Sequence, residues 1–341
     1  MSPVRVLIVD DSRTMRALLK HALSGDPAID VVGEAANPLE ARDMMKELDP
    51  DVVTLDIEMP NMNGLDFLDK IMRLRPTPVI MVSNLTQPGA AATLQALETG
   101  AFDCISKPGG LTGNTLDHLP ALVKEAAKAK PGMASGRRQI AAARAPANSS
   151  ALERHANWPD LIGIGSSTGG VEALMTVLSD FPADCPPTLI VQHLPAAFTS
   201  SFSARLNKIC KARVIEGQNG AEIQRGTVYI APGAQHMTLA TKAGLRLKLT
   251  QEDPVNGHRP SVDMLFSSLA QNFAGRMTGA ILTGMGRDGA QGLLEMRQSG
   301  ARTMAQDEAT SLVYGMPRVA YELGGAEKRV PLQGVTKEIF S

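Results

Sequence analysis

The sequence predicts two doubly wound α/β domains in tandem. Three observations carry that prediction. Over residues 4–128 short apolar runs bounded by turn residues alternate with stretches of helical period, and the alternation resumes near residue 158. Between the two lies "AKPGMASGRRQIAAARAPANSSALERHA", residues 129–156, rich in Ala, Gly, Ser, Pro and Arg and without apolar periodicity. Such a composition reads as a flexible, mildly basic linker. Finally, 341 residues are too many for one ordinary core and comfortable for two. The expected division is 1–128, 129–156 and 157–341.

Each element follows in order. "VRVLIVD", "DVVGEA", "DVVTLDI", "TPVIMVS" and "FDCIS" read as buried strands. The helices between and after them are "SRTMRALLKHAL", "PLEARDMMKEL", "GLDFLDKIMRL", "GAAATLQALETG" and "TLDHLPALVKEAAKA". Five strands alternating with five helices imply a parallel sheet wound on both faces. In the second half a strand through "LIGIG" precedes a glycine-rich turn and the helix "VEALMTVL". "PTLIVQH" is a strand, "FTSSFSARLNKI" a helix, and "GTVYIAPGAQHMTLATKAGLRLKLT" a run of strands and turns. Then come the helix "SVDMLFSSLAQNF", the strand "TGAILTG", the helix "GAQGLLEMRQS" and the strand "ARTMAQ".

Composition narrows the function. The formal net charge of −1 argues against broad binding to nucleic acid or to an anionic membrane. No apolar run approaches the ~20 residues that cross a bilayer, and "MSPVRVLIVDDS" enters a strand without a secretory signal. Cys104, Cys185 and Cys210 are odd in number and lack CxxC spacing, which excludes a disulfide framework. The expected compartment is the reducing cytoplasm.

Chemistry gathers where strands end. Asp10 and Asp11 close the first strand and Asp56 the third, so three carboxylates can converge. Hard oxygen donors at that density suit Mg²⁺, which keeps several waters. Ser83 ends the fourth strand and Lys107 the fifth, so a phosphoryl group on Asp56 would meet a hydroxyl and an ammonium. Helix capping explains any one of these acids but not four strand ends together. "VDDS", "TLDIEMPNMNGLDFL", "MVSNLT" and "ISKP" resemble the receiver domains of two-component response regulators, a flavodoxin-like fold, across residues 1–128. The resemblance implies Asp56 as phospho-acceptor, Asp10 and Asp11 as Mg²⁺ ligands, and Ser83 and Lys107 as readers of the phosphoryl group. One departure stands out: Cys104 occupies the position, three before the lysine, where receivers usually carry an aromatic ring.

The second domain opens on "LIGIGSSTGG". A dinucleotide loop needs a third glycine that is displaced here, and a Walker loop needs a lysine that is absent. Gly165-Ser166-Ser167-Thr168-Gly169 instead matches G-x-S-x-G between strand and helix, which presents Ser167 as a nucleophile at a helix N-terminus. A serine needs a base. His193 ends the next strand, whereas His236 follows a turn and His258 lies in the polar loop "NGHRP", where both read more simply as structural. The base needs an orienting carboxylate. Asp288, at a strand end in "GMGRDGAQG", fits better than Asp253 or Asp263, the latter suiting a first helical turn.

These stretches, with "VQHLPAAFTSSFSARLN", "APGAQHM" and "RPSVDMLF", closely resemble the catalytic domain of the chemotaxis protein-glutamate methylesterases over residues 158–340. The resemblance implies a serine hydrolase that demethylates chemoreceptor glutamates and deamidates receptor glutamines. It also implies Ser167 as nucleophile, His193 as base, Asp288 as its orienter and the Met285 N–H near the oxyanion. It implies a chemotaxis histidine kinase as phosphodonor, no cofactor at the catalytic site, and a receiver that packs over that site until Asp56 is phosphorylated. Two alternatives remain at this stage: the same chemistry on a non-chemotaxis target, or a receiver-regulated transcription factor. The latter needs a helix-turn-helix and a basic face that the second half does not evidently carry.

Overall fold

The computed structural model describes residues 2–59, 62–84, 86–108, 116–129, 158–241 and 244–341. The chain forms two compact units, Met1–Ala147 and Asn148–Ser341. The linker expected over 129–156 lies outside the described residues except for Ala129.

The first unit alternates β1 (Val4–Val9), α1 (Arg13–Ser24), β2 (Ile29–Ala35), α2 (Pro38–Leu48), β3 (Val52–Asp56), α3 (Gly64–Leu74), β4 (Val79–Ser83), α4 (Gln87–Thr99), β5 (Asp103–Ser106) and α5 (Leu119–Lys128). Local chemistry sets the helix starts. Ser12 accepts the Met15 N–H, Asn37 accepts those of Leu39 and Glu40, and Asn63 accepts that of Leu65. Helix α1 buries Met15, Leu19 and Leu23, a stripe spaced by four that faces the sheet. Every residue of β3 and β4 is buried, as a sheet covered on both faces requires. The strands run parallel in the order β2-β1-β3-β4-β5. The order reverses between β1 and β3, which opens a crevice at their carboxyl ends. Gly64 starts α3 so close to the Asp56 carbonyl that a Cβ there would collide with it.

The second unit comprises β6 (Leu161–Ser166), α6 (Gly170–Ser179), β7 (Thr188–Gln192), α7 (Ala196–Ile209), β8 (Arg213–Glu216), β9 (Thr227–Ile230), β10 (His236–Ala240), β11 (Arg246–Thr250), α8 (Val262–Asn272), β12 (Met277–Ile281), α9 (Ala290–Gln298), β13 (Arg302–Gln306), α10 (Met316–Glu322), β14 (Lys328–Val330) and α11 (Val335–Ile339). Seven strands form a parallel sheet in the order β14-β13-β12-β6-β7-β9-β8. The chain leaves β6 toward β7 and returns to its other side at β12, so the switch point falls beside β6. Glycines on β6 let α8 press onto the strand: a Cβ at Gly163 would meet Leu269 and one at Gly165 would run into Val262. Leu161, Val191, Val262, Phe266 and Leu293 pack in the core between these layers.

Two features go beyond the sequence expectation. Strands β10 and β11 leave the main sheet and pair as a separate antiparallel hairpin. The segments β8, β14, α10 and α11 were not expected, because runs of three to seven residues with mixed charge carry too little periodicity. Among the described residues no helix is long and apolar enough to cross a membrane.

Candidate active site

The crevice of the first unit gathers every residue expected there. Asp10 directly follows β1, Asp56 ends β3, Ser83 ends β4 and Lys107 directly follows β5, its N–H donating to the Ser83 carbonyl at 2.8 Å. Asp10 and Asp56 are buried, and the Lys107 ammonium lies 2.8 Å from Asp56 Oδ2 and 3.1 Å from Asp10 Oδ2. Burial pushes the Asp56 carboxyl up to about 6; Lys107 opposes the rise and the charge of Asp10 adds to it. Lys107 is held above its ordinary value because Asp56 and Asp10 outweigh the cost of burying its charge. Carboxylate oxygens of Asp10, Asp11 and Asp56 lie within 4.8 Å of one another, with Asp11 exposed. Three hard donors crowding one cation, with a water-facing side, could hold a small divalent ion such as Mg²⁺. Cys104 pairs in register with Met81 on β4, and burial pushes its thiol well above the ordinary range.

In the second unit the glycine-rich turn separates two adjacent hydroxyls. Ser166 is the last residue of β6, fully buried, and donates to Gln192 Oε1 at 2.6 Å. Ser167 is the next residue and only partly buried. Its backbone is held on three sides: its N–H donates to the Thr283 carbonyl at 3.0 Å, and its carbonyl accepts from Gly170 N at 2.7 Å and Gln192 Nε2 at 2.9 Å. Among the described non-glycine residues only Asp49, Ala234 and Asn256 have positive φ, so Ser167 is not in the left-handed region. The left-handed turn residue is Gly169, φ 77°, which caps α6. Gly284 lets the loop after β12 touch the turn, since a Cβ there would lie 2.8 Å from that of Ser167. Met285, half-buried, is the next residue of that loop.

His193 follows β7, one residue beyond the paired Ser166 and Gln192, and its N–H donates to the Ser166 carbonyl at 3.1 Å. Strand register therefore sets His193 beside Ser167. The Nε2 atom lies 2.9 Å from Asp288 Oδ2. With a carboxylate as acceptor, Nε2 carries the proton and Nδ1 is the basic nitrogen; Nδ1 is buried with no hydrogen-bond partner among the described residues. Asp288 is wholly buried and sits over the start of α8. It accepts from Val262 N at 2.7 Å, Ser261 Oγ at 2.8 Å, Asn256 Nδ2 at 3.0 Å and Asp263 N at 3.2 Å. Burial alone would raise its pKa, but His193, the Val262 N–H and the Ser261 hydroxyl hold the carboxyl well below the usual range.

The remaining candidates sort cleanly. His236 is buried, accepts from Ser261 N at Nδ1 (3.2 Å) and meets the Asp253 carbonyl at Nε2 (3.1 Å), a neutral structural histidine. Asp263 lies in the first turn of α8, accepts from Gly292 N at 2.7 Å and shares Asn256 with Asp288. His258 stacks on His193, ring centroids 3.8 Å apart and planes 12° apart. The sequence reading left out Gln192, Thr283, Asn256 and Ser261. Gln192 had a signal, a lone amide in an otherwise apolar run. Thr283 is fully buried and donates its hydroxyl to the Thr168 carbonyl at 3.0 Å, a contact 115 residues apart that no local pattern announces.

Both units match known proteins. Residues 162–339 match the family described as CheB methylesterase, and residues 6–113 match the response regulator receiver domain. A protein-glutamate methylesterase/protein-glutamine glutaminase 1 of Caulobacter vibrioides is 55% identical, covering 100% of this chain and 98% of its own. An Agrobacterium fabrum protein-glutamate methylesterase/protein-glutamine glutaminase is 54% identical over 98% of this chain and 95% of its own. The crystal structure of the Thermotoga maritima CheB methylesterase catalytic domain superposes with a TM-score of 0.52 at 34% identity, covering 53% of this chain and 96% of that one. The switch-point serine, the histidine–aspartate pair and these matches lead to one conclusion: the chain belongs to the CheB methylesterase family and carries a response regulator receiver domain ahead of the esterase fold.

Proposed function

We propose that the chain is a protein-glutamate methylesterase and protein-glutamine deamidase acting on the cytoplasmic helices of methyl-accepting chemoreceptors, switched on by phosphorylation of Asp56. The observation that carries the reading is the His193–Asp288 pair, 2.9 Å apart, set by strand register beside the turn that presents Ser167. Relatives 54% and 55% identical across nearly the whole chain bear this activity in their names.

Ser167 Oγ attacks the γ-carbonyl carbon of the glutamyl ester while His193 Nδ1 takes its proton. The N-terminus of α6 and the Met285 N–H face the oxyanion that forms. Asp288 keeps the Nε2 proton in place and stabilises the imidazolium. His193 then gives the proton to the departing methoxy oxygen, or to the amide nitrogen in the glutamine case, as its bond to the carbonyl carbon breaks, releasing methanol or ammonia and leaving an acyl-serine. Water, deprotonated by His193, cleaves that ester to free glutamate and Ser167. In the receiver, Asp56 Oδ accepts the phosphoryl group from a kinase phosphohistidine, and Lys107 and Ser83 pair with the added oxygens. Asp10, Asp11 and Asp56 would hold Mg²⁺, which supplies charge neutralisation for that transfer. Free Cys104, Cys185 and Cys210 support a cytoplasmic setting.

The test is methanol release from methylated receptor membranes, with and without a small-molecule phosphodonor. Wild type releases methanol faster with the donor, Asp56→Asn does not respond, and Ser167→Ala releases none. Release by Ser167→Ala at the wild-type rate overturns the nucleophile.

A further inference from the structure

The loop before α8 contains a two-residue turn that touches both members of the His193–Asp288 pair. Val255 and His258 exchange backbone hydrogen bonds, Val255 N to His258 O at 3.1 Å and His258 N to Val255 O at 2.9 Å. Between them Asn256 and Gly257 are both left-handed, with φ of 53° and 79°. Two consecutive left-handed residues define a type I′ turn, the geometry for which an Asn-Gly pair is best suited. The flanks are tied down as well. Arg259 Nη1 donates to the carbonyls of Gln251 and Glu252 at 3.0 Å each, and His236 bonds both Asp253 O and Ser261 N. The turn is thus anchored on either side of its two exposed central residues.

From this anchored turn two side chains reach the catalytic pair. The Asn256 amide donates to Asp288 Oδ1 at 3.0 Å and to Asp263 Oδ2 at 2.7 Å. Both amide hydrogens are used, one on each of two neighbouring carboxylates, so the group separates charges that would otherwise repel. The His258 ring lies flat on His193. A hydrogen bond from Nε2 to Asp288 fixes one point of the imidazole but leaves its plane free to rock about that bond. A parallel ring at 3.8 Å removes the remaining freedom and so fixes where Nδ1 points.

We infer that the Val255–His258 turn is the positioning element of the active site, with Asn256 fixing Asp288 and His258 fixing the ring plane of His193. The inference rests on His193 and Asp288 being the base and its orienter in the reading proposed above. Neither turn residue exchanges a proton with substrate in this scheme; both act through the pair.

The experiment uses the full-length protein in three variants, each compared with wild type and with Ser167→Ala. Asn256→Gly keeps the left-handed backbone and removes the amide. His258→Ala removes the stacked ring, and His258→Phe keeps a flat ring without the imidazole nitrogens. Three quantities are read: kcat and KM for methanol release from methylated receptor membranes, the rate at which phenylmethylsulfonyl fluoride labels Ser167, and the melting temperature. The labelling needs the base but no receptor, since the serine oxygen takes the sulfonyl group, His193 takes the proton and fluoride leaves.

Asn256→Gly and His258→Ala are each expected to lower kcat and the labelling rate by ~10-fold or more, as a misplaced base does, with KM near wild type and the proteins fully folded at the assay temperature. His258→Phe is expected to recover most of both rates. Wild-type kcat and labelling in Asn256→Gly and His258→Ala overturn the inference. So does a Phe variant no better than Ala, or a loss of rate that disappears when the variants are assayed well below their melting temperatures. If Ser167→Ala itself labels and hydrolyses normally, the underlying assignment fails instead; a dead Ser167→Ala beside fully active turn variants sinks the turn alone.

Discussion

Ser166 and Ser167 carry the same hydroxyl, and their surroundings divide the labour between them. Ser166 is buried and spends its proton on Gln192 Oε1, so Ser166→Ala leaves a buried acceptor short of a donor. We expect it to lower stability by ~1–3 kcal/mol while methanol release persists; a melt and a rate measurement on the same preparation separate the two. Asp288→Asn should cost the rate above all. An amide cannot accept from all of His193, Val262 N, Asp263 N, Ser261 Oγ and Asn256 at once, so its NH₂ must face a donor. The rate should fall by ~10⁴-fold, the size seen when a triad histidine is left in the wrong tautomer. The cysteines give a third check. Burial pushes Cys185 up to about 12 and Cys210 up to about 11, so both are protonated thiols in the fold. Iodoacetamide at pH 8 should label the wholly buried Cys185 only after unfolding and the half-buried Cys210 slowly, and rapid labelling of Cys185 in the native protein would contradict its placement. At this scale the proposed triad was legible only in part: Ser167 and His193 directly follow strands, as expected, whereas Asp288 stands seven residues beyond the end of β12, at the far side of the loop that leads into α9. Asn256 and Ser261 were not legible, because their partner lies 27 to 32 residues along the chain and no periodicity connects them.

Both units gather their candidate site residues where the strand order reverses. Asp10 and Asp56 flank the β1/β3 switch, and Ser167 and the loop from Thr283 to Asp288 flank β6 and β12. That edge was readable from alternation alone, since parallel strands all finish on one side. The hairpin β10–β11 was not, because a strand's apolar pattern says that it is buried and not which sheet takes it. Gly165→Ala tests the coupling between element packing and site. A Cβ there would run into Val262, the first residue of the helix whose N–H groups hold Asp288. Overpacking of this kind costs ~1–3 kcal/mol, and displacing the start of α8 should also lower kcat, so melting temperature and kcat are expected to fall together. The receiver crevice gives the reverse case. Burial opposes ionisation of Asp56, and Asp10 repels it, so a neutral Asn at 56 removes an unfavourable charge at pH 7.5. Asp56→Asn should raise the melting temperature in chelator, and Mg²⁺ should raise that of wild type more than that of the variant. Equal Mg²⁺ shifts in both proteins would place the ion elsewhere.

At the scale of the whole chain, the two candidate sites stand on separate sheets. The five-stranded sheet holds Asp56 and the seven-stranded sheet holds Ser167, and no strand is common to both. A phosphoryl group adds about −1.5 to −2 charge at Asp56, whose carboxylate lies 2.8 Å from the Lys107 ammonium, and so changes the balance of a crevice that sets Lys107 among three carboxylates. Whatever that change does to hydrolysis must be transmitted by the receiver as a body. The second unit has its own parallel sheet and core, so it should fold without the first. The family resemblance implies that the unphosphorylated receiver restrains the esterase, and this gives a sharp expectation. A protein beginning at residue 151 should release methanol faster than the unphosphorylated full chain and ignore the phosphodonor. Asp56→Asn in the full chain should stay slow under every condition. If the truncated protein is no faster than the unphosphorylated whole, restraint is the wrong account, and phosphorylation acts instead by bringing the enzyme to its receptor. Release from receptor membranes measured against release from a soluble methyl-ester peptide then tells the two apart, because recruitment accelerates only the first.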